Sequence, residues 1–134
     1  MSRVLLDTSA YRQLLRNHPP LQAALENAES IVLNPVITGE ILCGFEKGGN
    51  PRRNQGILED FLIAEGVSMV EIDRETAESY AFIYAYLSQA GTPVSPNDLW
   101  IAASAMQHNL RILTFDRDFL RIPQVMVDCF DPSK

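Results

Sequence analysis

Four acidic residues occupy positions from which their carboxylates could act together. Asp7 and Asp116 each directly follow a short apolar run. Glu40 shares a helical face with apolar and small residues, which is an unusual place for a carboxylate. Asp98 falls in the first turn of a predicted helix. Gathered at one place, these side chains would repel one another unless a cation lay between them.

Carboxylate oxygens without histidine or cysteine favour a hard divalent cation, Mg²⁺ or Mn²⁺, over zinc or copper. Such an ion bridges to phosphate oxygens, polarises them and generates hydroxide from bound water. A bound cation also inverts the local field, so that an acidic site could attract a phosphate backbone. The set of acids therefore predicts metal-dependent phosphodiester hydrolysis.

Each acid also has a purely structural interpretation. Asp7 could cap the helix that follows it, and Asp116 could form a turn. Asp98 could complete a capping box with Ser95. Glu40 could pair with an arginine, because an unpaired carboxylate on a packing face is costly or becomes protonated. The four acids together, rather than any one of them, predict the metal site.

Short apolar runs alternate with helical segments along the chain. Runs without polar alternation suit strands buried on both faces, as in a parallel sheet covered by helices. Functional residues of such sheets lie beyond the carboxyl ends of the strands. We therefore expect one domain, residues 1–134, built as an α/β fold around a mainly parallel sheet. Strands are predicted near 3–6, 31–33, 68–70, 112–115 and 125–127, helices near 10–16, 21–28, 35–47, 52–64, 74–89 and 96–110, and a turn or short helix near 116–120.

The composition is that of an ordinary folded chain of 134 residues, with 46% apolar and 21% charged residues. The two cysteines, Cys43 and Cys129, form no ligand motif, which favours a reducing, cytoplasmic compartment. No apolar run approaches the ~20 residues of a membrane span, and no signal-peptide pattern is present. The net charge of −6 disfavours a general nucleic-acid binder, so any contact with nucleic acid must be local.

With these residues in view, the chain resembles the PIN-domain family, and specifically the VapC-type toxins of toxin–antitoxin pairs. The matching segments occur in the family's order and cover nearly the whole chain, at 4–9, 37–44, 91–103 and 113–119. The most specific elements are NDLWIAA, which contains Asp98, and TFDRDF, which contains Asp116.

The resemblance implies a three-layer α/β/α sandwich and a metal-dependent endoribonuclease. On that pattern the four acids would hold Mg²⁺ or Mn²⁺, and Thr8 or Thr114 would orient a carboxylate or a water. A metal-activated water would cut RNA without a covalent nucleophile, and no serine has an evident histidine partner. Asp118 matches a common family position, but its role is open because it could instead cap a turn.

The resemblance also implies a homodimer and a small antitoxin protein whose tail covers the active site. RNA would be held by cations near the acids. The candidates are Arg12, Arg16, Lys47, Arg52 and Arg53. Apolar residues that could serve an interface, or equally belong to the core, are Leu14, Leu15, Phe61, Leu62 and Phe82.

The histidines and several aromatic residues have plainer expected roles. His18 and His108 are expected on the surface rather than as ligands or bases. Base stacking is possible in principle for three aromatic residues, but their helical spacing favours core or subunit packing. They are Tyr80, Tyr84 and Trp100.

Competing functions lack residues that they need. A phosphoacceptor receiver domain would need a late lysine, and no lysine lies between Lys47 and Lys134. A haloacid-dehalogenase-like phosphatase would need Asp-x-Asp after the first strand, where Ser9 occupies the second place. The remaining alternative is a PIN-like module that binds RNA or a protein without cutting.

Overall fold

The structure is a computed structural model that describes residues 2–134. Five parallel strands form one sheet in the order β3-β2-β1-β4-β5. The strands are β1 (Arg3–Leu6), β2 (Ser30–Leu33), β3 (Val67–Met69), β4 (Arg111–Thr114) and β5 (Met126–Cys129). The helices are α1 (Thr8–Leu15), α2 (Pro19–Glu26), α3 (Pro35–Lys47), α4 (Pro51–Leu62), α5 (Arg74–Ala90) and α6 (Pro96–His108), with a 3₁₀ helix at Arg117–Arg121.

Helices cover both faces of this sheet. The crossovers from β1 to β2 and from β2 to β3 run in one direction along the sheet, and the crossover from β3 to β4 runs back. Because crossovers between parallel strands are right-handed, α1–α4 cover one face and α5 and α6 cover the other. Accordingly α1 packs on α2 and α3, while α5 packs on α6. The expected three-layer α/β/α sandwich is confirmed.

The central strands are buried on both faces. Val4, Leu5 and Leu6 of β1 are at most 2% exposed, and Ile112 and Leu113 of β4 are at most 1% exposed. Successive side chains of a strand point to opposite faces, so both faces of the sheet are covered. This is why the strands read as continuous apolar runs in the sequence.

The strand order reverses beside β1. The chain leaves β1 toward β2, whereas β4 lies on the other side of β1 and is entered from β3. Ligands of open parallel sheets bind in the crevice outside the carboxyl ends of the strands at such a reversal. Asp7 follows β1 directly, and Asp116 lies just beyond β4. The fold therefore brings the first and last predicted acids to the same crevice.

The predicted elements are all present, with ends shifted by one or two residues. Two helices begin earlier than expected, at Thr8 and Pro19, because the preceding side chains cap them. Asp7 accepts a hydrogen bond from the backbone of Ala10, and His18 accepts one from Leu21. The predicted short helix after β4 is a 3₁₀ helix. Within the described residues, no helix is long and apolar enough to cross a bilayer.

The expectation that His18 lies on the surface is wrong. Its side chain is 5% exposed, and its Nε2 lies 2.9 Å from the backbone oxygen of Asp131. The rings of Phe115 and Phe130 pack against it at 4.9 and 6.2 Å between centroids. His108 is half-buried at the end of α6. His18 is therefore a structural residue that joins the start of α2 to the C-terminal segment.

Candidate active site

A cavity of about 160 Å³ opens at the carboxyl ends of β1 and β4. Its walls come from α1, α3, α6 and the segment after β4. The lining residues are Asp7, Thr8, Ser9, Arg12, Glu40, Asp98, Ile101 and Asp116. All four acids that the sequence singled out thus line one cavity.

Asp7 is the most enclosed of these acids, at 3% exposed. Its Oδ1 accepts hydrogen bonds from the Ala10 amide and the Ser9 hydroxyl, both at 2.8 Å, and its Oδ2 accepts one from Thr114. Burial raises the pKa of Asp7, the three hydrogen bonds oppose the rise, and the charge of Asp116 adds to it. Asp7 is therefore both the cap of α1 and a fixed carboxylate in the cavity.

Two hydroxyl groups connect Asp7 to the segment that carries Asp116. Each hydroxyl donates a hydrogen bond to Asp7 and accepts one from a backbone N–H of the segment that follows β4. Ser9 Oγ accepts from Phe115 at 2.9 Å, and Thr114 Oγ1 accepts from Asp116 at 2.9 Å. Thr114 therefore lies where its hydroxyl can orient the Asp7 carboxylate. Ser9 was not predicted for such a role, although its position two residues after Asp7 was the available signal.

Both oxygens of Glu40 are engaged by neutral donors. Glu40 is half-buried on α3, and its Oε1 accepts a hydrogen bond from Thr8 Oγ1 at 2.7 Å. Its Oε2 accepts one from Asn97 Nδ2 at 3.2 Å. No ion pair to Glu40 is found within residues 2–134, so the arginine-pair interpretation does not describe this carboxylate. Asn97 is a further site residue that the sequence analysis did not single out.

Burial and neighbouring charges both disfavour the ionised form of Asp98. It is half-buried in the first turn of α6, which Ser95 caps by accepting the Asp98 amide at 3.2 Å. Burial, and then the charges of Asp116, Glu40 and Asp7, raise the pKa of Asp98 from 3.8 to about 7. The cavity thus holds more negative charge than its own residues neutralise.

Asp118 extends the acidic cluster outward. One carboxylate oxygen from each of Asp98, Asp116 and Asp118 lies within 4.8 Å of the others. Asp116 Oδ1 accepts the Asp118 amide at 2.9 Å, so Asp116 also forms the turn that its alternative interpretation described. The Asp118 carboxylate lies 3.5 Å from Nη1 of Arg121.

The donor set fits a hard divalent cation. Every potential ligand is a carboxylate oxygen, and neither histidine lines the cavity. Burial and the neighbouring carboxylates disfavour the ionised form of Asp98, and a cation bound beside it would favour that form. Mg²⁺ and Mn²⁺ prefer oxygen ligands of this kind.

Of the five predicted cations, Arg12 lies next to the acids and Lys47 lies further along α3. Arg12 lines the cavity and also, with Lys47, a neighbouring groove of about 520 Å³. We call this second cavity the α3 groove. Its lining residues are Arg12, Val36, Gly39, Glu40, Cys43, Gly44, Lys47 and Asn97. The other three cations are exposed and line neither the cavity nor the groove: Arg16, Arg52 and Arg53.

The aromatic residues considered for base stacking lie between α5 and α6. The ring of Tyr80 packs 4.3 Å from that of Trp100 and is stacked 6.5 Å from that of Tyr84. None of the three lines the cavity or the α3 groove. Tyr80 and Trp100 therefore pack between the two helices, whereas Tyr84 is 56% exposed.

The chain is similar to known proteins over nearly its whole length. The model of the PIN domain family matches residues 4–125. Ribonuclease VapC4 of Mycobacterium tuberculosis is 32% identical, over 93% of this chain and 95% of its own. The tRNA(fMet)-specific endonuclease VapC of Salmonella typhimurium is 28% identical, over 96% of this chain and 98% of its own. A chain of the DNA-bound VapBC structure from Salmonella typhimurium matches with a TM-score of 0.82 and 28% identity, over 96% of this chain and 98% of that chain. The chain belongs to the PIN-domain family and, within it, to the VapC group.

Proposed function

We propose that the protein is a metal-dependent endoribonuclease and the toxin of a type II toxin–antitoxin pair. The observation that carries the proposal is the convergence of Asp7, Glu40, Asp98 and Asp116 on one cavity at the strand-order reversal. The names of its relatives, which are ribonucleases and an endonuclease, support the same activity.

The four carboxylates would hold Mg²⁺ or Mn²⁺. When bound, such an ion polarises phosphate oxygens and lowers the pKa of a bound water. Asp7 and Glu40 are held in fixed orientations by hydroxyl and amide donors, so little reorganisation is needed when they act as ligands. Asp98 must lose its proton to act as a metal ligand. Because its pKa is about 7, it can do so near neutral pH.

The chain's own residues do not supply a covalent nucleophile at this site. Ser9 is the serine in the cavity, and its Oγ donates to Asp7 while accepting the amide of Phe115. Neither histidine lines the cavity, so this hydroxyl lacks the imidazole base that activates a serine nucleophile. Hydrolysis by an activated water is therefore the reaction that the site supports.

The five cations proposed to bind RNA differ in their distance from the acidic cavity. Arg12 and Lys47 lie where they could hold phosphates next to the acids. Arg16, Arg52 and Arg53 would add only long-range attraction, which salt screens.

A cognate antitoxin protein is the proposed partner. Some of the similar solved structures are of VapBC, among them the one from Salmonella typhimurium at 28% identity. We also propose a homodimer. Of the apolar residues considered for an interface, Leu15 and Phe82 are 48% and 58% exposed, whereas the others pack against the core: Leu14, Phe61 and Leu62.

The Asp7→Asn variant tests the proposed activity. It should abolish RNA cleavage and leave the metal-free protein as stable as the parent or more stable. Because burial raises the pKa of Asp7, the ionised carboxylate is disfavoured there, and a neutral amide avoids that cost. The measurement is end-mapping of cellular RNA after controlled expression, together with thermal unfolding of the purified proteins.

The matched control is Asp60→Asn, which removes an exposed carboxylate from α4, outside the cavity. It should cut RNA as the parent does. Cleavage by Asp7→Asn at the parental rate would refute the assignment.

A further inference from the structure

We propose that the RNA strand runs from the acidic cavity along the α3 groove, with its sugar–phosphate backbone passing over Gly39 and Gly44. This inference rests on the proposed ribonuclease function and adds to it the surface that binds the substrate. Two observations carry it, the continuity of the two cavities and the cations of the groove, and two glycines in the groove wall allow it to be tested.

The α3 groove continues the acidic cavity. Arg12 and Glu40 line both of them, so a strand held at the acids enters the groove directly. The groove follows α3 as far as Lys47, seven residues beyond Glu40. At 1.5 Å per residue this is about 10 Å along the helix axis.

The cations of the groove are available to an external anion. The ion pairs found among residues 2–134 join Arg111 to Asp128 and Arg121 to Asp118, so neither involves Arg12 or Lys47. Both side chains are exposed. In a chain of net charge −6, two free cations beside the phosphodiester-cleaving site complement a phosphate backbone.

Gly39 and Gly44 leave open space in the groove wall. Glycine is less favourable than alanine inside a helix, and both residues lie inside α3. A Cβ at Gly39 would meet no atom of the described residues within 4 Å. A Cβ at Gly44 would meet Nη2 of Arg12 at 3.6 Å, which is an ordinary contact. A methyl group at Gly39 would therefore project into the groove without clashing with the described protein, which makes this position a test of the proposed path.

The test compares Gly39→Ala with Gly56→Ala. Gly56 is the matched control, because it is exposed inside α4, lies outside the groove and would also place its Cβ in open space. Both substitutions should raise the melting temperature by about 2–4 °C, since each replaces a helical glycine. Only Gly39→Ala should weaken RNA binding, by roughly tenfold, because its methyl group occupies the path of the backbone.

Binding is measured by fluorescence anisotropy with a labelled, mixed-sequence single-stranded RNA. Each glycine variant is made in the Asp7→Asn protein, so that the RNA stays intact. A second pair is Lys47→Gln, which should weaken binding, and Arg74→Gln, which removes an exposed cation of α5 outside the groove and should leave binding unchanged.

The outcomes separate this inference from the proposed function. Cleavage of RNA by the parent protein tests the function, and its absence refutes that function whatever the glycine variants do. If the parent cuts RNA but Gly39→Ala binds RNA as tightly as Gly56→Ala, the proposed path is wrong and the groove is left to a protein partner.

Discussion

Asp98 is the carboxylate whose charge is most sensitive to pH near neutrality. Its pKa is raised to about 7, first by burial and then by the charges of Asp116, Glu40 and Asp7. Below that pH the carboxyl is protonated and donates or accepts as a neutral group. Above it, the cavity contains one more negative charge, and the need for a cation increases.

The metal-free protein should therefore lose stability as the pH rises from about 4 to about 8. The pKa of Asp98 is higher in the folded state than its ordinary value of 3.8, so the folded state retains a proton that the unfolded chain releases. The stabilisation that this proton gives is complete at pH values below the unfolded-state pKa. It is lost as the pH rises through the folded-state pKa. We expect a decrease in the free energy of unfolding on the order of 1–2 kcal/mol, because Asp98 is only half-buried. Urea unfolding with a chelator, at a series of pH values, measures it.

The variant Asp98→Asn is the control for this pH dependence. It should be less sensitive to pH over the same range, although the raised pKa of Asp7 leaves part of the effect. Asp73 and Asp131 have lowered pKa values and act in the opposite direction in both proteins. An unchanged pH dependence in Asp98→Asn would show that another group is responsible.

At the scale of elements, Asn34 joins the two helices that carry Glu40 and Asp98. It is fully buried, and its Oδ1 caps α3 by accepting the Ile37 amide at 3.0 Å. Its Nδ2 donates to Ser104 Oγ of α6 at 2.9 Å. One side chain therefore fixes both the start of α3 and its distance from α6.

Replacing Asn34 with alanine should destabilise the protein by about 2–3 kcal/mol. About 1 kcal/mol is the loss of a helix cap, and the rest comes from the buried Ser104 hydroxyl that loses its partner. Because Glu40 and Asp98 then lose their fixed separation, the affinity for Mn²⁺ should also fall. Urea unfolding and titration calorimetry measure the two effects.

Asn50→Ala provides the comparison, since Asn50 caps α4 in the same way but is exposed, and among residues 2–134 its side chain makes no hydrogen bond to α3 or α6. It should cost about 1 kcal/mol or less and leave the Mn²⁺ affinity unchanged. Equal losses of Mn²⁺ affinity in the two variants would contradict the positioning role of Asn34.

The elements could be predicted because each has a local signal. The pairs Asn34-Pro35 and Ser95-Pro96 mark the starts of α3 and α6, and the continuous apolar runs mark strands buried on both faces. The burial of His18 had no such signal, because it depends on Asp131 and on two phenylalanines far along the chain.

The same distinction applies within the site. Asp7, Asp98 and Asp116 could be predicted because each follows a strand or begins a helix at one edge of the sheet. Glu40 could be predicted because a carboxylate is unusual on an apolar helical face. The roles of Ser9 and Asn97 could not. Ser9 binds the Phe115 amide, 106 residues away, and Asn97 binds Glu40, 57 residues away. Residue type alone does not specify such partners.

At the scale of the whole molecule, the cavity is an acidic site in a chain that is already acidic, with a net charge of −6. An RNA strand approaches such a protein only where the local charge differs from the average. The free cations of the α3 groove supply part of that difference, and a bound divalent ion would supply the rest. Metal binding, stability and substrate binding are therefore linked.

This linkage predicts that Mg²⁺ or Mn²⁺ raises the melting temperature of the whole protein. An ion that binds only the folded state, at one hundred times its dissociation constant, adds about 2.7 kcal/mol to the free energy of unfolding. For a domain of this size the rise should be on the order of 5–10 °C, and a chelator should reverse it. The melting temperature of Asp60→Asn should rise with the metal as that of the parent does. The rise should be small in Asp98→Asn, because this variant lacks one proposed ligand and the repulsion between that carboxylate and its acidic neighbours. A full response in Asp98→Asn would show that Asp98 is not a ligand of the ion, and its raised pKa would then be explained by burial and its acidic neighbours alone.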